Sequence, residues 1–354
     1  MTTLQELLDA AVESSTAPGA AALVARGDQV EIASAGELEQ DSIVRIASIT
    51  KPITAAGVML LVDDGLVALD DPVARWLPEL ATPQVVRNPE SPLDDVVPAA
   101  RPITVEDILT FRAGWGFPSD FTLPAVGPLL QKLPVFGFSG PPDEWLTTLA
   151  SIPMLRQPGE AWLYNTCSDI QGVLIARVSA RPLPEFLAQR IFEPLGMTDT
   201  GFHVPAEKHN RLAEYHGSAA MPVDGDLWKE PPVFPSGSGG LASTLADLHR
   251  FGRMLLAGGG GLLSQESVRL MTTDHLTAEQ RAASTLFLED AGWGFGGAVG
   301  PDGRYGWIGG TGTTAHMVPS TGTVGVLLTQ VQMTGPTPTS LMRAFWRYAF
   351  GTLG

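Results

Sequence analysis

Leu4, Leu7, Leu8, Ala11 and Val12 recur at i, i+3, i+4, i+7 and i+8, the apolar stripe of an amphipathic helix, and Pro18-Gly19 ends it. The period then changes. AAALVAR (20–26) and QVEIASAG (29–36) read as two short strands joined at Gly27-Asp28, a hairpin. The far end of the chain answers it: WGFGGAV, RYGWIGG, TTAHMVP and TVGVLLTQ read as successive strands, and TSLMRAFWRYAFG as a closing helix. Both ends are therefore expected in one antiparallel sheet. Between them the signals are mostly helical. Ile53, Ala56 and Leu60 mark one face of a helix over Ile49 to Asp64, with Gly65 as its stop. Thr104 with Asp107, and Thr244 with Asp247, resemble capping boxes. Residues 83–102 carry five prolines and 114–142 are rich in Gly, Pro and Phe, so irregular loops that wall a site are expected there. The expected organisation is a sheet domain from 1–47 and 236–354, an inserted, mostly helical domain over 48–235, and a site at their interface.

Composition narrows the function. The net charge of −16 and pI near 4.7, with no run of Lys or Arg, remove the electrostatic basis for binding nucleic acid or an anionic membrane. Cys167 is the single cysteine, so neither an intrachain disulfide nor a thiolate metal cluster is available. MTTLQELLDAAVES lacks a basic start and an unbroken apolar stretch, and nowhere do eighteen apolar residues run together. A soluble cytoplasmic protein is the expectation. Nothing in the sequence speaks to its oligomeric state.

RIASITKPIT, residues 45–54, carries the candidate chemistry. Proline is tolerated only in the first turn of a helix, so Pro52 places the helix start within a few residues of Ser48. A side chain there feels the positive helix end and free backbone N–H groups, which favour a developing oxyanion. Residues i and i+3 share a helix face, so the Lys51 ammonium reaches the Ser48 hydroxyl, and burial would lower its pKa enough to take the serine proton. The plainer alternative is that Ser48 caps the helix and Lys51 is a solvated charge. None of Lys132, Lys208 and Lys229 has a serine three residues earlier, and there is no G-x-S-x-G elbow, which disfavours an α/β-hydrolase triad.

SIVRIASITKPITAAGVMLLVDDGLVALDDPVARWLPEL resembles the start of the serine β-lactamase-related hydrolases. RPITVEDILTFRAGWG, QPGEAWLYNTCSDIQGVLIARVSA, IFEPLGMTDTGF, SGSGGLASTLADLHRFGRMLLAGG and YGWIGGTGTTAHMVPSTGTVGVLLTQ follow in the order of that family's landmarks, from about residue 18 to 330. The group includes class C β-lactamases, D-alanyl-D-alanine peptidases and family VIII carboxylesterases. The resemblance implies an α/β (α+β) fold of β-lactamase/transpeptidase type, a helical domain against an antiparallel sheet flanked by terminal helices. It implies Ser48 as acylated nucleophile, Lys51 as its activating partner, and Tyr164 as a proton relay across the cleft. The usual Y-x-N is altered, because Asn165 follows Tyr164 directly and Thr166 takes the third place, which leaves the substrate-binding role open between them. Trp307-Ile308-Gly309 stands where β-lactamases and peptidases place a cation, and resembles the W-x-G of family VIII esterases. Gly309 and Gly310 give close backbone approach, and the Gly310 and Ser48 N–H groups would form the oxyanion hole.

The resemblance implies a serine carboxylesterase acting on a small-molecule ester without metal or organic cofactor. The rivals are a β-lactamase or D-aminoacyl peptidase, favoured if Arg304 faces the cleft; a penicillin-sensor-like domain that acylates and stalls; and an acyltransferase. His316 is expected to be structural, with a place in the cleft as the second reading. His203, His209 and His216 have no metal-ligand spacing. Asp63-Asp64 and Asp70-Asp71 read as helix-end and turn residues. Trp115, Phe117, Phe136 and Phe138 are candidates for an apolar acyl pocket, with core packing as the alternative.

Overall fold

Thr3 accepts a hydrogen bond from the Glu6 N–H and the Glu6 carboxylate accepts one from the Thr3 N–H. Helix α1 (Leu4–Glu13) thus opens on a closed capping box in the computed structural model of the protein, which describes residues 3–134, 138–217 and 228–351. Strands β1 (Gly19–Arg26) and β2 (Gln29–Gly36) follow as the expected hairpin, Arg26 opposite Gln29. Gly27 has φ +58° at the first central position of the two-residue turn, where a side chain would be strained.

The chain leaves this hairpin and returns to its other side much later. Strands β3 (Gly292–Trp293), β4 (Ala298–Val299), β5 (Tyr305–Gly309), β6 (Thr313–Val318) and β7 (Thr323–Leu328) complete an antiparallel sheet of order β2-β1-β7-β6-β5-β4-β3. WGFGGAV is therefore two strands rather than one. The break lies where Gly296 takes φ +74° and where any Cβ would stand 2.6 Å from the Lys51 carbonyl oxygen. The strand is interrupted so that its backbone can close on the helix that carries Lys51.

All six residues of β7 are buried because helices cover both faces of the sheet. Val324 points to α4 (Leu245–Leu256), where a Cβ on Gly252 would lie 2.9 Å from its Cγ1. Gly325, on the opposite face, meets the C-terminal helix α5 (Ser340–Phe350) at Phe350. Helix α1 packs on β1 and β2 and also touches α5, so the two ends of the chain meet on one side of the sheet.

Two expectations are modified. Thr244 accepts from the Asp247 N–H, but the Asp247 carboxylate does not return the bond; it accepts instead from the Asp199 N–H and the Thr200 hydroxyl at 2.8 and 2.9 Å. Residues 83–102 are not wholly irregular, since Gln84–Val86 pairs with Val96–Pro98. The Thr104–Asp107 capping box forms as expected.

The helix expected over Ile49 to Asp64 is α2 (Thr50–Asp63), after a 3₁₀ turn at Ala47–Ile49, and Gly65 follows its end. It is buried on every side from Thr50 to Leu61 rather than along one stripe, because it lies between the sheet and helix α3 (Thr166–Ser179). One continuous apolar cluster joins Leu8, Val326, Ile53 and Leu174 across these layers. Among the described residues no helix is long and apolar enough to cross a membrane.

Because Gly252 has no room toward the branched, buried Val324, Gly252→Val is expected to destabilise the protein by about 1–3 kcal/mol. Chemical denaturation of the two proteins measures it. An unchanged midpoint would mean that α4 is not seated on β7 as described.

Candidate active site

Ser48 enters the central helix through a constrained backbone. Ala47, immediately before it, has φ +45°, a conformation that costs an L-residue about 1–2 kcal/mol. The surroundings hold it there: the Ile46 N–H donates to the Leu241 carbonyl at 3.0 Å, and the Ile46 carbonyl accepts from the Thr313 hydroxyl at 3.2 Å. Ser48 makes no capping hydrogen bond to the helix. Its hydroxyl instead accepts from Lys51 Nζ at 2.8 Å. The plainer alternative read from the sequence is overturned on both counts, since Lys51 is not solvated either.

Lys51 is 0% exposed, and its ammonium also donates to the Ser238 carbonyl at 2.6 Å. Burial lowers its pKa to about 7, against the opposing pull of the nearby Asp169 carboxylate. Asp169 escaped the sequence reading. It lies on the Thr166–Ser179 helix, accepts from the Ser236 hydroxyl at 2.8 Å and the Ser238 N–H at 3.0 Å, and burial raises its own pKa. Thr54 donates to the Gly237 carbonyl at 2.8 Å from the helix side. The loop that presents an acceptor to Lys51 is thus held from two helices. No sequence pattern connects Asp169 with Ser238; the fold alone brings them together.

Tyr164 is fixed by its main chain. Its N–H and carbonyl both pair with Phe117, at 2.9 Å each. Asn165 then takes φ +81° and ψ −66°, and the Thr166 N–H donates back to the Tyr164 carbonyl at 3.2 Å, a strained γ-turn. This turn resolves the altered Y-x-N pattern in space. Asn165 lines the pocket beside Ser48, whereas Thr166 is buried as the first residue of the helix.

The Tyr164 hydroxyl is hydrogen-bonded with Ser48 and accepts from Trp307 Nε1 at 2.7 Å. Burial pushes its pKa up to about 12, so it is a protonated phenol at neutral pH. The indole N–H engages one lone pair of the phenol oxygen, and Ser48 is the hydroxyl's other hydrogen-bond partner. Trp307 is itself wedged edge-on against Trp293, with ring centroids 4.9 Å apart. The indole therefore serves the tyrosine as a fixed donor.

Gly309 passes so close to Ile46 that a Cβ would stand 2.3 Å from the Ile46 carbonyl oxygen and 2.2 Å from the Thr313 hydroxyl. Its carbonyl accepts from the Gly312 N–H at 3.0 Å, so the trans peptide directs the Gly310 N–H the opposite way. Gly310 lines the pocket. That pocket holds about 200 Å³ and includes Ser48, Tyr164, Asn165, Phe117, Phe287 and Trp307; among the described residues none that lines it carries a charged side chain.

The structure leaves other candidates outside. Arg304 stacks over Trp346, 4.4 Å from the ring centroid, and belongs to a neighbouring cleft. His316 is buried with Nδ1 2.8 Å from the Thr314 hydroxyl and edge-on to Trp346; burial, helped by Arg304, lowers its pKa well below the ordinary value. It is structural, as expected. His209 bonds to the Val204 carbonyl and His216 to Glu37, and among the described residues no His, Cys, Asp and Glu cluster could hold a metal. Trp115 is core, its indole donating to the Ile152 carbonyl. Phe138 packs on Phe234 away from Ser48. Phe136 lies outside the described residues. Of the three described aromatic candidates only Phe117 reaches the pocket, and Phe287 and Met333, which carried no sequence signal, also line it.

Gly309→Ala is expected to lower thermal stability by several degrees through its clash with the Ile46 main chain, corresponding to about 1–3 kcal/mol. Gly310→Ala, with nothing within 4 Å of its Cβ, should melt close to the unmodified protein. Equal melting temperatures for the two variants, measured by calorimetry, would contradict the close approach.

Comparison with known proteins bears on the fold and the family. Protein Rv1367c of Mycobacterium tuberculosis (strain ATCC 25618 / H37Rv) is 41% identical over 258 residues, which cover 70% of this chain but 63% of that protein, so the chain spans less than two thirds of that relative. Esterase EstB of Burkholderia gladioli is 29% identical over 330 residues, covering 83% of this chain and 78% of EstB. The solved structure of EstCE1, described as a hydrolase with promiscuous acyltransferase activity, matches with a TM-score of 0.83 at 22% identity, covering 98% of this chain and 97% of that one, a likeness of fold. The Beta-lactamase family matches residues 4–344, nearly the whole chain, and to that family the chain belongs.

Proposed function

We propose that the protein is a serine carboxylesterase that acylates on Ser48 and releases the acyl group to water. One observation carries the reading: a lysine with a pKa of about 7 touches Ser48 at the wall of an uncharged pocket. The two candidate bases differ by about five pKa units, about 7 for Lys51 against about 12 for Tyr164, which favours Lys51. In its neutral form Lys51 takes the Ser48 proton as Oγ attacks the ester carbonyl carbon. The oxyanion is received by the Ser48 and Gly310 N–H groups. Collapse breaks the bond to the alcohol oxygen, which takes a proton from Tyr164; Tyr164 recovers its proton from Lys51. Water then attacks the acyl-enzyme by the same route and the carboxylic acid leaves. Trp307 keeps the phenol oxygen in place throughout, and Asn165, on the pocket wall, offers its amide to the substrate.

The uncharged lining separates this reading from its main rival. β-Lactams and D-alanyl peptides carry a carboxylate beside the scissile bond, and a charged hydrogen bond to it contributes about 1.5–3 kcal/mol. Arg304, the cation that would have favoured that rival, is stacked on Trp346 outside the pocket. Acyl transfer is the same chemistry with an alcohol in place of water, and EstCE1, a hydrolase with promiscuous acyltransferase activity, joins the two.

Ser48→Ala is expected to lose ester turnover while remaining folded, and a serine-reactive phosphonate should label the unmodified protein once, at Ser48. The pH profile of kcat/KM follows from Lys51: the amine must be unprotonated, so activity is present above pH 7 and falls as pH drops through about 7. Labelling at another residue, or a profile flat between pH 5 and 8, would sink the assignment.

Substrate class is tested side by side. kcat/KM for p-nitrophenyl acetate or butyrate should exceed that for a chromogenic cephalosporin by at least about tenfold, the low end of what a missing carboxylate contact costs. A cephalosporin turned over as fast as the ester would promote the β-lactamase reading.

A further inference from the structure

The Ser48 pocket holds about 200 Å³, room for the ester and little more, so a larger substrate has to continue past its rim. Aromatic rings lead outward from it. Phe287 lies 4.7 Å, centroid to centroid, from the Tyr164 ring. Phe121 follows, 6.1 Å from Phe287 and stacked on Phe117 at 5.7 Å with the planes 22° apart. Phe117 and Phe287 are pocket walls, while Phe121 is 43% exposed. A lone exposed phenylalanine is ordinary. One whose buried neighbours line the pocket of the candidate nucleophile is a continuation of that pocket.

The exposed ring is also held in place. Phe117 is pinned to Tyr164 by two main-chain hydrogen bonds of 2.9 Å. The Ser119 hydroxyl donates to the Ala283 carbonyl at 2.8 Å, tying this loop to the segment that carries Phe287. Beyond Ser119, the Asp120 carboxylate accepts from the Thr122 N–H at 2.9 Å and from its hydroxyl at 2.6 Å. A substrate ring that settles here meets a surface already ordered, and loses little affinity to loop ordering.

We propose that Phe121, with Phe117 and Phe287, forms an outer aromatic subsite that takes an aryl group of a neutral ester. The proposal rests on the esterase reading of Ser48. Aromatic geometry favours an aryl occupant over a short alkyl one, because offset and edge-on ring pairs add to the apolar burial that both share. Phe121 is thereby a specificity-determining residue: it acts on how well aryl esters are used relative to acetates of small alcohols, and leaves proton transfer at Ser48 untouched.

The test compares the unmodified protein, Phe121→Ala and Phe121→Tyr on two matched pairs. Vinyl phenylacetate against vinyl acetate varies the acyl side, and benzyl acetate against ethyl acetate varies the alcohol side, each followed by pH-stat. Phe121→Ala should lower kcat/KM for the aryl member of one pair by roughly three- to tenfold while the small ester is unchanged, and Phe121→Tyr should retain the preference. The pair that responds tells which side of the ester the subsite holds. Ratios unchanged in both pairs overturn the proposal. A binding arm separates it from the esterase reading. In the Ser48→Ala background, calorimetric titration should show benzyl acetate or vinyl phenylacetate binding more tightly than its small partner, and addition of Phe121→Ala should erase the difference. Absence of turnover by the unmodified protein on all four esters would strike the esterase reading. A titration with no aryl preference would strike the subsite itself.

Discussion

Burying one ammonium is the constraint on which the site depends. Water solvates a lysine well, and a fully enclosed one is tolerated only if its donors are met and its charge is easily lost. Lys51 has the Ser48 hydroxyl and the Ser238 carbonyl at 2.8 and 2.6 Å, and a pKa brought to about 7. Both acceptors must themselves be held. Asp169 and Thr54 hold the Ser236–Ser238 segment from two different helices. Ser48 is held by a 3₁₀ turn whose first residue, Ala47, is in a conformation it would not choose alone.

The same enclosure explains features of the sheet that otherwise look like irregularities. A central helix buried on all sides requires the strands to come close to its first turn. Gly296 meets the Lys51 carbonyl and Gly309 meets the Ile46 carbonyl, each nearer than a side chain allows. One approach breaks a strand into β3 and β4; the other brings Gly310 beside Ser48 at the end of β5. Capping follows the same economy. Asp247 leaves its expected partner because the Asp199 N–H and Thr200 hydroxyl need an acceptor.

Across the pocket the problem is to aim a phenol. Tyr164 is held from below by ring contacts, from its main chain by Phe117, and at its oxygen by the Trp307 N–H. An indole donates one hydrogen bond without charge, so Trp307 orients Tyr164 without adding a charge to the described residues that line the pocket. Aromatic packing and one indole N–H thus fix the phenol.

Much of this was legible from residue order alone. The stripe in Leu4–Val12, the Gly27-Asp28 turn, and the position of Pro52 relative to Ser48 and Lys51 are local patterns, and local patterns follow from backbone geometry within a few residues. They placed the terminal helix, the hairpin, and a serine and lysine on one face at a helix start. What depends on partners far along the chain was decided by tertiary structure. The helix carrying Lys51 is surrounded rather than one-sided, Asn165 rather than Thr166 reaches the pocket through a strained turn, Trp115 and Phe138 pack elsewhere, and Asp169, Phe287 and Met333 reach the site with no sequence mark of their own. The reason is physical: periodicity reports which way a side chain points from its own element, whereas burial, pKa and pocket membership are set by what the fold places opposite it.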